Sequence, residues 1–189
     1  MGVAPARYRR RVPHVAVTAV GSDRPGIVAA VTGVFVEHGC NLADTSMTIL
    51  RGHFSMMLIV EVPGDVDAAE LEDALAAPAA AFDLVVAVRP IDDDVPASPD
   101  GERWSVAVYG ADRPGIVHRI TALLAGEGVN VVDLDTRVIG DQENPVYAMA
   151  LDVTVPPGID PATLRRRVEE LAAELGVECS LHPVDADVL

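Results

Sequence analysis

Cysteine is nearly absent from the 189 residues, and Cys40 and Cys179 stand far apart with no metal-type spacing around either. A disulfide framework and a zinc site are therefore excluded, and a reducing, cytoplasmic setting is expected. Basic residues are also scarce. Fourteen Lys and Arg face 29 Asp and Glu, a net charge of −15, so the chain repels phosphate backbones and nucleic acid is not an expected partner. No apolar run approaches the roughly 20 residues of a membrane helix, which predicts a soluble protein with no membrane partner. Disorder is excluded as well, because half of the residues are apolar.

Targeting and catalytic signals are missing too. The start carries Arg7, Arg9, Arg10 and Arg11, but the apolar stretch after them reads as a strand without a small-residue cleavage site, so no signal peptide is expected. Ala6 stands where a myristoylation signal needs Ser or Thr. There is no nucleophile elbow, P-loop, dinucleotide fingerprint or H-E-x-x-H, and His14, His38, His53, His118 and His182 are scattered. The reading is a non-enzymatic protein with no cofactor and no metal. Asp133-Leu134-Asp135-Thr136-Arg137 resembles a phosphotransferase nucleophile segment, but Arg137 fills a position where Thr or Val is expected.

What the chain does contain is one unit written twice. Ser22-Asp23-Arg24-Pro25-Gly26-Ile27-Val28 recurs as Ala111-Asp112-Arg113-Pro114-Gly115-Ile116-Val117, and Gly39-Cys40-Asn41-Leu42 as Gly128-Val129-Asn130-Val131, all at an offset of 89 residues. From Phe54 and Tyr147 onward the offset is 93, so one short insertion falls in the turn-rich stretch from Gly140 to Pro145.

Each copy reads as strand, helix, two strands, helix and strand. In the first, His14 to Val20 alternates as a strand. Asp23 is placed to cap a helix, Pro25 is tolerated where no donor is needed, and Ile27, Val28, Val31, Val34 and Phe35 form its apolar stripe. Gly39 suits the C′ position. Arg51-Gly52 predicts a hairpin between Thr45–Leu50 and Phe54–Val62, with Phe54, Met56, Leu58, Val60 and Val62 on one face. Asp67 caps a second helix that Pro78 limits, and Leu84 to Val88 closes the unit. In the second copy Trp104 to Tyr109 is a strand, and Ile116, Val117, Ile120, Leu123 and Leu124 stripe a helix. A longer helix carrying Leu164, Val168, Leu171 and Leu175 starts at Asp160-Pro161 and stops at Gly176. Arg165 with Glu169 and Arg166 with Glu170 are its i, i+4 pairs. The fold class is α+β, two ferredoxin-like domains with antiparallel sheets and helices on one face. The expected organisation is a flexible basic tail (1–12), domain 1 (13–91), a linker (92–102), domain 2 (103–184) and a C-terminal tail (185–189).

The chemistry left is recognition. The start of each first helix offers free N–H groups and a positive dipole end that suit a carboxylate, and Gly26 and Gly115 allow close approach. Asp23 and Asp112 suit an α-ammonium, while Asn41 and Asn130 both donate and accept. Together these parts suit a zwitterionic amino acid. The plainer alternative is that the Asp residues only cap, the Gly residues only pack and the Asn residues only shape a loop. Cys40 and Cys179 read as core fillers, and Met47, Met56 and Met57 as core or interface packing.

The strand followed by Asp-Arg-Pro-Gly-Ile-Val, the apolar helix, Gly-x-Asn-Leu or Gly-x-Asn-Val, and the ribbon closing on Val-x-Val-Pro resemble the ACT domain, over residues 13 to 91 and 103 to 184. Two such domains in tandem resemble the glycine cleavage system transcriptional repressor family. The resemblance implies a regulatory protein that binds a small amino acid, glycine or serine, where two ACT domains meet, and that acts through a regulatory protein partner. By position it implies Gly21, Asp23, Arg24, Gly26 and Asn41 as ligand-site residues, with Asp112, Arg113, Gly115 and Asn130 in the second copy. A homodimer is expected from unpaired sheet edges. Formyltetrahydrofolate deformylase opens with a similar unit, so a regulatory relative of that enzyme and a ligand-free dimerisation module stand as alternatives.

Overall fold

A computed structural model describes residues 13–64, 66–92, 100–140 and 145–184. Both tails, most of the linker and residues 141–144 of the insertion lie outside the described residues. The chain divides into two compact units, Met1–Val95 and Pro96–Leu189. The first consists of β1 (His14–Ser22), α1 (Ile27–Glu37), β2 (Asn41–Leu50), β3 (His53–Glu61), α2 (Ala68–Phe82) and β4 (Leu84–Ile91). The second repeats this order as β5 (Glu102–Gly110), α3 (Ile116–Gly126), β6 (Asn130–Ile139), β7 (Val146–Val155), α4 (Pro161–Leu175) and β8 (Val177–Pro183). Glu102, read as linker, already belongs to β5.

Each sheet is antiparallel, in the order β2-β3-β1-β4 and β6-β7-β5-β8. Register aligns the apolar faces: Val17 sits opposite Leu58 and Val88, and Val106 opposite Leu151 and Leu181. Those faces share one core with the helices. Val15, Val17, Ala19, Met56 and Leu58 pack with Ile27, Val31, Leu71 and Leu75 in the first unit. Val106, Val108, Met149 and Leu151 pack with Ile116, Ile120, Leu164 and Val168 in the second. Thr18, Val20 and Met57, on the other face of the first sheet, are exposed, so the helices cover one side only.

The turns follow from local chemistry. Arg51 and Gly52 both have positive φ, 50° and 82°, as a two-residue type I′ hairpin requires. Both first helices end in a Schellman arrangement. Gly39 N–H donates to Val36 and Cys40 N–H to Phe35, while Gly128 and Val129 donate to Ala125 and Leu124. β2 and β6 carry a bulge at the same repeat position, between Leu42 and Asp44 and between Val131 and Asp133.

Four expectations need correction. Asp23 and Asp112 do not cap α1 and α3. Gly26 and Gly115 hold the N-cap positions at φ 98° and 94° with no side-chain cap, and this turn leaves each Asp three residues before the cap, out of reach of the first amides. Pro25 correspondingly precedes the helix instead of opening it. Pro78 does not limit α2, which continues to Phe82 because Ala79 and Phe82 still pack on the core. Val28 and Val117 lie off the buried stripes, at 40% and 36% exposure. Arg165 donates from Nε to the Leu181 carbonyl at 3.2 Å, whereas Arg166 makes its expected contact with Glu170 at 2.8 Å.

The second helices are capped as read. Asp67 accepts from Glu70 N–H at 2.8 Å. Asp160 accepts from the Thr163 hydroxyl at 2.6 Å and from the Thr163 and Ala162 amides at 3.1 and 3.3 Å, and these bonds, the hydroxyl first, hold its carboxyl below the ordinary range. A depressed folded-state pKa adds stability that is complete above the unfolded value of about 3.9 and is lost as pH falls through the folded one. Asp160→Asn keeps an acceptor but has no proton to gain. It is expected to flatten the acid limb of the unfolding profile, followed by circular dichroism from about pH 6 to about pH 2, below the carboxylate range.

Candidate ligand site

The left-handed Gly26 and Gly115 begin α1 and α3 so abruptly that no side-chain oxygen accepts from either first turn. Amides without intrahelical partners, together with the helix dipole, form the anion-binding end of a helix. In the second unit a hollow of about 490 Å³ opens beside them, lined by Asp112, Arg113, Gly115, Ile116, Val117, His118 and Tyr147. A Cβ built at Gly115 would meet nothing within 4 Å, so a ligand has free approach to the backbone.

Tyr147 and His118 escaped the sequence reading. Tyr147 is 8% exposed and occupies the place that Phe54 holds in the first copy, and that exchange of phenyl for phenol was the available signal. Burial, and then the negative charge of Asp112, push its phenol above the ordinary value, so at neutral pH it is a neutral hydrogen-bond donor.

The other candidates occupy different places. Gly21 is a packing position: a Cβ there would come within 2.7 Å of Leu84 Cδ2 and 2.8 Å of the Asp83 carbonyl oxygen. Gly110 meets Val177 in the same way. Arg113 donates from Nη1 to the Leu175 carbonyl at 3.1 Å, where it satisfies the end of α4. Asp23 and Arg24 are exposed on the β1–α1 loop, and Asp23 N–H donates to Gly52 O at 2.9 Å, tying that loop to the hairpin turn. Asn41 Nδ2 donates to Glu61 Oε2 at 3.2 Å.

The asparagines do not converge with the aspartates inside one unit. Asn41 sits opposite Glu61, which sits opposite His14, whereas the Asp23 loop leaves the other end of β1. The length of β1 separates those ends, about 26 Å at about 3.3 Å per residue. Asn130, opposite Thr154, is remote from Asp112 for the same reason.

No nucleophilic thiol stands near the hollow. Burial, and then Glu169, push the Cys179 thiol up to about 11, and burial also raises that of Cys40, so both are protonated at neutral pH. Met56 is core, while Met47 and Met57 are about half exposed. Arg137 pairs with Asp135 along β6 at 3.1 Å, and the phosphotransferase-like segment lies in this edge strand. Among the described residues no group of three or more His, Cys, Asp or Glu is arranged to hold a metal ion, and no helix is long and apolar enough to cross a membrane.

Comparison with known proteins matches two ACT domain models, at residues 14–89 and 104–173. The glycine cleavage system transcriptional repressor of Escherichia coli (strain K12) is 26% identical over 91% of this chain and 90% of its own. Phosphoserine phosphatase SerB2 of Mycobacterium tuberculosis is 30% identical over 88% of this chain, which corresponds to 40% of the phosphatase. The crystal structure of an unknown protein from Galdieria sulphuraria superposes with a TM-score of 0.73 and 26% identity, covering 91% of this chain and 98% of that one.

Proposed function

The chain belongs to the ACT-domain family, two units in tandem, and on that premise we propose that it is a non-enzymatic regulatory protein that binds a small amino acid, glycine or serine, and controls a protein partner. The observation that carries this reading is the uncapped first turn of α3 opening on a hollow that also holds Asp112. The amides receive the α-carboxylate and Asp112 receives the α-ammonium. Similarity along nearly all of the glycine cleavage repressor supports a role in regulation, and the net charge of −15 favours control through a protein rather than through DNA.

Because Asn41 and Asn130 lie at the far ends of their own sheets, an asparagine contact to the same ligand would come from another ACT unit. A homodimer fits this reading. All of β2, and all of β6 beyond Val131, is exposed along unpaired edges able to accept a second copy. Calorimetry against the common amino acids is expected to show saturable heat with glycine or L-serine, weakened in Asn41→Ala or Asn130→Ala. No heat from any amino acid would end the sensing proposal. Light scattering with and without the amino acid separates constitutive from ligand-driven dimers.

A further inference from the structure

The two helix starts share a sequence motif but not an environment. Tyr147, more than nine-tenths buried, lines the hollow at α3, and its hydroxyl has no hydrogen-bond partner among the described residues. The ring is buried but the hydroxyl is not sealed from solvent, so it stands free to donate to a ligand that enters the hollow. At the matching place in the first unit stands Phe54, 1% exposed, which has no polar atom to offer. The covers differ as well. A Cβ built at Gly26 falls 3.5 and 3.8 Å from the Phe82 ring, so the ring edge stands over that helix start, whereas the space at Gly115 is open. Phe82 reaches there because α2 runs on through Pro78, and its counterpart in the repeat is the shorter Leu175. Ala29 and Ala30 replace His118 and Arg119, which leaves the first unit only Asp23 as a charged group on its loop besides Arg24.

We infer that the two ACT units divide their roles: the second binds the amino acid through the first-turn amides of α3, Asp112 and the Tyr147 hydroxyl, while the first carries no ligand. This rests on the amino-acid reading above and narrows it to one site per chain. The amides of Ile116 and Val117 donate to the α-carboxylate, the Tyr147 hydroxyl donates to the same group, and Asp112 accepts from the α-ammonium. One motif thus serves recognition in one copy and construction in the other.

The test is calorimetry of the full chain with glycine and with L-serine, in the wild type and in Tyr147→Phe, Asp112→Asn and Asp23→Asn. Tyr147→Phe removes one oxygen and restores the residue of the first copy, so its fold is expected to persist, as circular dichroism will show. The expected result is one site per chain, with affinity reduced at least about tenfold by Tyr147→Phe, the equivalent of losing a hydrogen bond to a charged group. Two equivalent sites, or binding abolished by Asp23→Asn and untouched by Tyr147→Phe, would overturn the division of roles and leave amino-acid sensing standing. Absence of heat from either amino acid and from the rest of the common set in the wild type would instead remove the sensing reading, and this inference with it. Tyrosine labelled with 13C at Cζ adds an independent readout. Of Tyr8, Tyr109 and Tyr147, the resonance missing from Tyr147→Phe must be the one that shifts on addition; a shift confined to the others overturns the assignment.

Discussion

Leu58→Ala is expected to destabilise the first unit by about 3–5 kcal/mol, read from the shift in the urea unfolding midpoint, and Leu151→Ala to do the same to the second. Each Leu is essentially unexposed, lies on a strand flanked on both sides and points into the helix-covered face. Leu58 faces Val17 across one ladder and Thr45 across the other, and the repeat gives Leu151 the matching partners Val106 and Leu134. Truncation therefore removes transfer energy and opens a cavity that rigid strands cannot collapse. Met57→Ala, one residue away on the bare face and 51% exposed, is the control and should cost less than about 1 kcal/mol. Similar losses for Leu58 and Met57 would mean that the faces are assigned wrongly.

Gly21→Ala is the second large effect, expected at about 1–3 kcal/mol despite adding a single methyl group. The new carbon would lie 2.8 Å from the Asp83 carbonyl oxygen, a backbone atom fixed between α2 and β4, so relief requires moving a strand. Asp83 is itself left-handed at φ 55° and holds a tight junction. Gly110→Ala should behave alike against Val177, whereas Gly33→Ala, with nothing within 4 Å of its Cβ and a place inside α1, should be neutral or stabilising by up to about 1 kcal/mol. A thermal melt of the three variants checks the ordering. A destabilised Gly33→Ala beside an unaffected Gly21→Ala would refute the packing role assigned to Gly21.

The architecture was legible because two kinds of pattern agreed. Alternation along Phe54, Met56, Leu58 and Val60 and the helical spacing of Ile27, Val31, Val34 and Phe35 both proved to be core, and the repeat tested each against a second copy. Capping was legible only where the chain entered the helix conventionally. Asp67 and Asp160 cap, but Asp23 and Asp112 do not, because a left-handed glycine starts those helices and no rule of spacing reveals its φ. The proline rule failed at Pro78 because core contacts beyond it outweigh one missing backbone bond.

The candidate site was half legible. Its backbone frame followed from Pro-Gly at the helix start, but spacing did not reveal that Asp23 and Asn41 stand at opposite ends of one unit, since α1 carries the chain the whole length of the sheet between them. Tyr147 was hidden by its own alignment. It looked like one more core aromatic, and only the hollow shows where its polar end is needed.

The central claim is that a free amino acid rests on the opening amides of a helix, and backbone amide NMR of the full chain tests it most directly. Titration with glycine or L-serine is predicted to move the Ile116, Val117 and His118 N–H resonances saturably and together, with Asp112 beside them. Saturable binding that leaves those three amides unmoved would contradict it.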